Sequence, residues 1–276
     1  MPFIAIIGAG PIGSALAHKL AGRSRVREIR MIDPEVNVAR GKALDILQSG
    51  PVENFSTMVV AAESLHAAAG ADAVAIADPV TGAGEYSGEA ALSLVRQLRA
   101  AGIRSPLVFT GAQQRDVMAK SIAELHVPPA LMIGAAPLAL ESALRAMCGI
   151  VADTSAVQVS LSVAGVPPKH AVVAWEEAAI AGQPLTSVLG PHEIAALSAR
   201  IPGLWPPGPF ALGSAAARAV EALCDGSRQR YSLFVDAGRG RIAAMPVELE
   251  RGGVKRVIPP ALTRLEQTVL DTALGV

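Results

Sequence analysis

The chain has 276 residues, 51% of them hydrophobic and 17% charged, which excludes disorder and supplies a large core. Lysine plus arginine and aspartate plus glutamate each number 24, so no basic field exists to draw nucleic acid or anionic lipid. Aromatic residues are only 3%, too few for base- or sugar-stacking platforms.

The first element is Phe3-Ile4-Ala5-Ile6-Ile7, an apolar, β-branched run that reads as a buried parallel strand. It is too short to span a membrane and follows no basic segment, so neither a membrane anchor nor a leader is expected. Gly8-Ala9-Gly10-Pro11-Ile12-Gly13 comes next, then a helical stretch from Ser14 to Leu20. Ile29 to Ile32 forms a second strand that ends on Asp33. This is the strand–GxGxxG–helix–strand–acid layout of a dinucleotide-binding βαβ unit. Gly8 permits the tight turn, Gly10 lets backbone approach a pyrophosphate, and Gly13 lets helix and strand pack closely. The helix N-terminus, at Pro11 and Ile12, presents N–H groups to phosphate. Asp33 is placed to accept hydrogen bonds from a ribose 2′-OH.

Farther along, Val36–Leu47 predicts a helix, and Met58–Ala61, Ala71–Ala77, Leu107–Phe109 and Leu131–Ile133 predict strands. Helical patterns at Glu89–Ala101 and Asp116–Leu125 lie between them. The alternation implies an α/β fold, a Rossmann-type open parallel sheet with helices on both faces. From about Leu138 the rhythm changes. Val157–Val163 alternates with period two, as a half-exposed antiparallel strand does. Helices at Pro191–Arg200 and Ala211–Leu223 follow, joined by a rigid Pro/Gly-rich link, Ile201–Phe210. Strands at Tyr231–Asp236, Ile242–Leu249 and Val254–Ile258 and a closing helix, Ala261–Leu274, complete the chain. Residues 1–137 therefore read as a dinucleotide-binding domain and 138–276 as an α+β, substrate-type domain. Cys148 and Cys224 form no CxxC, and the five histidines lack ligand spacing, so a reduced cytoplasmic protein without metal is expected.

Gly41-Lys42-Ala43-Leu44-Asp45 followed by Gln48-Ser49-Gly50-Pro51 resembles the lactate/malate dehydrogenase family, in particular its lactate-dehydrogenase-like malate dehydrogenases. Ala71-Asp72-Ala73-Val74, Phe210-Ala211-Leu212-Gly213 and Arg251-Gly252-Gly253-Val254 extend the resemblance over nearly the whole chain. It implies a Rossmann domain, NAD(H), a small-molecule substrate and a homo-dimer or tetramer. Active members transfer hydride between nicotinamide and a 2-hydroxy acid. They use a histidine for the proton, an aspartate to orient it and arginines to hold the carboxylate.

This sequence departs from that set. The family's arginine-bearing loop aligns with Ala77–Glu89, placing Gly82 and Gly88 on the two arginines. Ala77 and Asp78 fall beside the cofactor, and the Asp78 carboxylate is expected to repel pyrophosphate. Thr110-Gly111-Ala112 replaces Thr-Asn-Pro. Registering on Gly134 puts Leu140 on the aspartate and Ala143 on an arginine, while a one-residue slip makes Glu141 the substitute acid. Pro167 falls on the histidine, with His170 three residues later. His170, Glu141 and Arg115 are the remaining catalytic candidates. Against them stand plainer roles: a polar loop end, a helical glutamate and a solvated first-turn arginine. The leading reading is an NAD(H)-binding scaffold with a non-standard or lost hydride-transfer site; the alternatives are an active NAD-dependent oxidoreductase on an unidentified 2-hydroxy or 2-oxo acid and a non-catalytic partner or assembly subunit.

Overall fold

Strands buried on both faces need residues without polar side chains at every position, and four in the N-terminal half have them. The computed structural model describes residues 1–82 and 84–275. β1 (Phe3–Ile7), β4 (Ala73–Ile76), β5 (Leu107–Phe109) and β6 (Met132–Gly134) are buried throughout. With β2 (Glu28–Ile32) and β3 (Met58–Ala62) they form a parallel sheet in the order β3-β2-β1-β4-β5-β6. The connections are α1 (Pro11–Gly22), α2 (Val36–Glu53), α3 (Gly88–Ala100) and α4 (Arg115–Leu125). The strand order reverses between β1 and β4, which makes the carboxyl ends of those two strands the topological switch point.

The predicted boundary near residue 137 coincides with the start of α5 (Ala136–Val151), but the sheet continues through it. β12 (Arg230–Asp236) joins β6 antiparallel, pairing Phe234 with Gly134. β13 (Ile242–Glu250), then β8 (Val163–Val166) and β9 (His170–Val173) extend the same sheet, and β14 (Gly253–Val257) also pairs with β13. β7 (Val159–Ser160), β10 (Ala179–Ile180) and β11 (Gln183–Pro184) make a separate three-stranded sheet. The short α6 (Leu185–Val188), α7 (Pro191–Arg200), α8 (Pro209–Asp225) and α9 (Arg264–Leu274) complete the chain. α8 lies against α1, where Gly213 comes so close that a Cβ there would sit 2.8 Å from the Leu16 backbone nitrogen. One large apolar core runs through both halves. A second, around Leu140, Leu144, Trp175 and Leu197, lies under the C-terminal helices.

Many predicted bounds shift by one to three residues, Ala71–Ala77 shrinking to β4 among them, and three differences have a clear local cause. Val157–Val163 is not one strand: a 3-10 turn (Ala156–Gln158) leads into β7, and Leu161-Ser162 cross from the small sheet to the large one. Burial alternates only from Val159 to Val163; Val157 is exposed, and β8 is buried at Val163, Ala164 and Gly165 alike. α2 runs past its predicted end through Gly50-Pro51 and is closed by Asn54 in the left-handed region, whose N–H bonds the Gly50 carbonyl. The last helix starts at Arg264 rather than Ala261, because Thr263 and Glu266 form a capping box.

Candidate functional site

The dinucleotide turn forms as the glycine spacing demands. Gly8 (φ +99°) donates its N–H to the Ile32 carbonyl at 2.8 Å, and Gly13 lies so near Gly8 that a Cβ would meet the Gly8 carbonyl oxygen at 2.1 Å. α1 then points its N-terminus at the switch point with Pro11 in its first turn. The half-buried Lys42 of α2 donates from Nζ to the Ala9 carbonyl at 2.5 Å, tying the second helix to the turn.

What faces this N-terminus is Asp78, the second residue after β4. Its carboxylate accepts from the Gly13 N–H at 2.9 Å through Oδ1 and from the Ile12 N–H at 3.2 Å through Oδ2. Its carbonyl accepts from the Gly10 N–H at 2.8 Å. Asp78 is buried, and a Cβ on Gly10 would lie 2.5 Å from its Cγ. The space and donors opened by Gly10 are therefore filled from within. A carboxylate is stable here because the first-turn N–H groups lack intrahelical acceptors and carry partial positive charge.

Asp33 is enclosed as well, with no exposed surface. Oδ2 accepts from the N–H groups of Ala9 and Val80, both at 2.9 Å, and Oδ1 from the Glu35 N–H at 2.9 Å. The acid in the ribose position thus staples the glycine turn to the segment after β4. Ala77, also buried, carries that segment out of the sheet: its N–H bonds Ile7 and its carbonyl accepts from Tyr86 N–H.

A second carboxylate closes the far end of the cleft. Glu85 accepts from the N–H groups of Ala112 and Gln113, both at 2.8 Å, in the turn after β5. Gly111 makes room, since a Cβ there would fall 2.0 Å from Glu85 Oε2. The Gln114 side chain bridges the same segments, accepting from Gly111 N–H and donating to the carbonyls of Ala77 and Tyr86. Tyr86 has its phenol pushed up to about 12, first by burial and then by the charges of Asp33 and Asp78. It also lines a cavity of about 700 Å³ beside the turn, with Ile7, Ile32, Pro34, His66 and Leu94 among its walls. Ala83, in the loop between the two carboxylates, lies outside the described residues.

The three catalytic candidates do not converge. Glu141, on α5, is buried and accepts from the Ser232 N–H at 3.2 Å, with Arg145 4.0 Å away. Burial pushes its carboxyl up, opposed by the Ser232 bonds and by Arg145. It lines a separate groove of about 1230 Å³ between α5, α8 and β12; neither His170 nor Arg115 is among its described lining residues. His170 sits half-buried on β9, paired with Val166. Arg115 opens α4 and spends its guanidinium on the Ile242 carbonyl and on Asp116. Among the described residues no group of three His, Cys, Asp or Glu side chains could hold a metal ion, and no helix is long and apolar enough to cross a membrane. Glu85, Gln114 and Lys42 are cleft residues that sequence reasoning did not single out for the site. Lys42 stood in the Gly41–Asp45 block and Glu85 in the aligned Ala77–Glu89 loop, but neither was assigned a role in the site.

The scaffold implies NAD(H), whose pyrophosphate would need the Ile12 and Gly13 N–H groups. As arranged, those donors are taken by Asp78, so the phosphate seat does not fit the group while that carboxylate stays in place.

Residues 3–120 match the family described as lactate/malate dehydrogenase, NAD binding domain. A malate dehydrogenase of Thermomicrobium roseum is 27% identical over 97% of this chain and 93% of its own length. An L-lactate dehydrogenase A of Rhizopus oryzae is also 27% identical, over 97% and 88%. Among solved structures, the malate dehydrogenase from Aeropyrum pernix superposes with a TM-score of 0.88 over 99% of this chain and 95% of that one. At 18% identity, that likeness is one of fold.

Proposed function

We propose that this chain, whose residues 3–120 match the lactate/malate dehydrogenase NAD-binding domain, is an NAD(H)-type scaffold whose hydride-transfer site is non-standard or lost. Residues 1–137 serve as the nucleotide half and 138–276 as the substrate-type half. The observation that carries this is the setting of Glu141. Leu140 stands in register for the orienting acid, and Glu141, which only a one-residue slip would bring there, is bonded to the Ser232 backbone. The aligned positions for the histidine and two arginines hold Pro167, Gly82 and Gly88. Without a guanidinium fork for a carboxylate or a nearby proton donor, ordinary turnover forfeits several kcal/mol of transition-state binding at each step.

The test is a panel of 2-oxo acids, oxaloacetate and pyruvate included, with saturating NADH. The expected result is turnover roughly 10²–10⁴-fold or more below that of a conventional family member, in line with loss of an acid–base group. Robust oxaloacetate or pyruvate reduction would refute it. If a different 2-oxo acid is reduced, His170 becomes the relocated proton donor, and His170→Ala should abolish that activity.

A role in assembly is the second reading, favoured by apolar side chains left on the surface of the single chain. Phe210 is 83% exposed and Val157 82% exposed, and both line the α5–α8 groove. A homo-dimer covering that groove is expected, and sedimentation at micromolar concentration checks it. Cys148 and Cys224, both free and buried, suit a reducing, cytoplasmic setting.

A further inference from the structure

We infer that the segment following β4 is an autoinhibitory strap: Asp78 stands in for the cofactor's pyrophosphate, and Glu85 fastens the segment's other end across the cleft. The inference rests on this cleft being the family's cofactor cleft, but it concerns binding alone and is independent of whether hydride moves.

Two separate contacts carry it. At the β1 end, Asp78 is the only described acceptor for two first-turn N–H groups of α1, the donors a phosphate would use. At the β5 end, 27 residues from its partner Ala112, Glu85 makes a two-pronged contact with consecutive backbone N–H groups. In both places the opposing residue is a glycine whose missing Cβ is filled by the carboxylate, at 2.5 Å for Gly10 and 2.0 Å for Gly111. Between the two anchors Val80 N–H is tied to Asp33, and just outside them Tyr86 N–H is tied to the Ala77 carbonyl. A dinucleotide laid over the switch point passes the carboxyl ends of the central strands, and the two carboxylate contacts lie at the start of α1, after β1, and in the turn after β5. The cost to a ligand is therefore twofold. It must displace the buried Asp78 carboxylate and the half-buried Glu85 carboxylate from good donors, and it must bring a doubly negative group beside Asp33 and Asp78.

The experiment measures NADH binding by fluorescence titration and, separately, thermal stabilisation by inorganic pyrophosphate, with no second substrate present. Asp78→Gly removes the internal anion; Asp78→Asn, which keeps the shape and loses the charge, replaces it if the glycine variant does not fold. The expected result is at least tenfold tighter NADH binding than wild type, with pyrophosphate raising the Tm of the variant but not of the wild-type chain. A tightening below tenfold in the folded variant, or equal pyrophosphate stabilisation of both, overturns the inference. Adding Glu85→Ala should tighten NADH at least threefold further without changing the pyrophosphate response. An unchanged NADH affinity in the double variant removes Glu85 from the strap. Loss of turnover on 2-oxo acids in every variant bears only on the catalytic proposal, so the two failures are distinguishable.

Discussion

Gly10→Ala is the sharpest perturbation of the cleft, because its backbone imposes no penalty of its own. Gly10 has φ −69° and ψ −169°, ordinary extended values that alanine adopts freely. Any cost must come from the new Cβ. That atom would lie 2.5 Å from both Cγ and Oδ2 of Asp78 and 2.8 Å from the Asp78 carbonyl oxygen. Carbon atoms in contact prefer about 3.5–4.0 Å, so the carboxylate has to move by roughly 1 Å. Such overpacking costs about 1–3 kcal/mol. Moving Asp78 also loosens its bonds to Ile12 and Gly13, and charge-assisted bonds of this kind are worth about 1.5–3 kcal/mol each. A destabilisation of about 3–4 kcal/mol is expected from the two effects together. In an Asp78→Gly background the side-chain collision is absent and only the carbonyl contact remains. Urea unfolding of wild type, both single variants and the double variant closes the cycle. The expected coupling is about 2 kcal/mol, with the double variant more stable than the sum predicts. Additivity within about 0.5 kcal/mol would show that the Asp78 carboxylate does not lie against Gly10.

Other expectations follow from the buried titratable groups. Burial raises the Glu141 carboxyl, so its contribution to stability is present below the unfolded carboxylate range and is lost as pH rises through the folded value. Glu141→Gln keeps an acceptor for Ser232 and removes the charge; its Tm should exceed wild type at pH 8, with the gap closing in acid. A Tm below wild type at pH 8 would contradict the buried-acid assignment. Tyr86, pushed up from 10.0 to about 12, favours the fold below pH 10 and loses that contribution between about pH 10 and 12. Tyr86→Phe should remove this alkaline loss, and Asp78→Gly should bring the phenol's titration down, which absorbance against pH reads directly. Burial raises the thiol of Cys148 to about 11 and that of Cys224 to about 12, so native alkylation at pH 8 should be far slower than in urea.

Local pattern carried most of the scaffold. Unbroken apolar runs such as Phe3–Ile7 and Ala73–Ile76 are what a doubly covered parallel strand requires, and the glycine spacing located the βαβ turn. Pro191–Arg200 emerged with its predicted bounds because Pro at the first helical position and Glu193 closing on the Gly190 N–H mark its start. Contacts between distant segments were not legible. Asp78 was recognisable as a carboxylate near a phosphate site, hence as a repulsive charge. Its satisfaction by N–H groups 65 and 66 residues away has no local signal. Glu85 gave none at all, since a glutamate in a glycine-rich loop has the composition of a solvated turn. The crossing of Leu161-Ser162 between two sheets was hidden for a different reason: side-chain alternation reports burial and is blind to which ladder the backbone joins.

The glycine turn therefore has an explanation that needs no ligand. Gly8 takes a positive φ, and a Cβ there would strike the Asp78 carbonyl oxygen at 2.3 Å. Gly10 leaves room for the Asp78 side chain, and Gly13 for the Gly8 carbonyl. Each of the three is demanded by contacts within the chain, and so is the acid at Asp33, which holds three backbone N–H groups. A strand–GxGxxG–helix–strand–acid pattern is ordinarily taken as a pyrophosphate and ribose site because its parts match what those ligands need. Here the intramolecular contacts need the same parts in the same places. The motif thus fixes the architecture of the switch point in this chain. Its use as a cofactor site depends on whether NAD(H) can displace Asp78, a difference in free energy that glycine spacing does not encode.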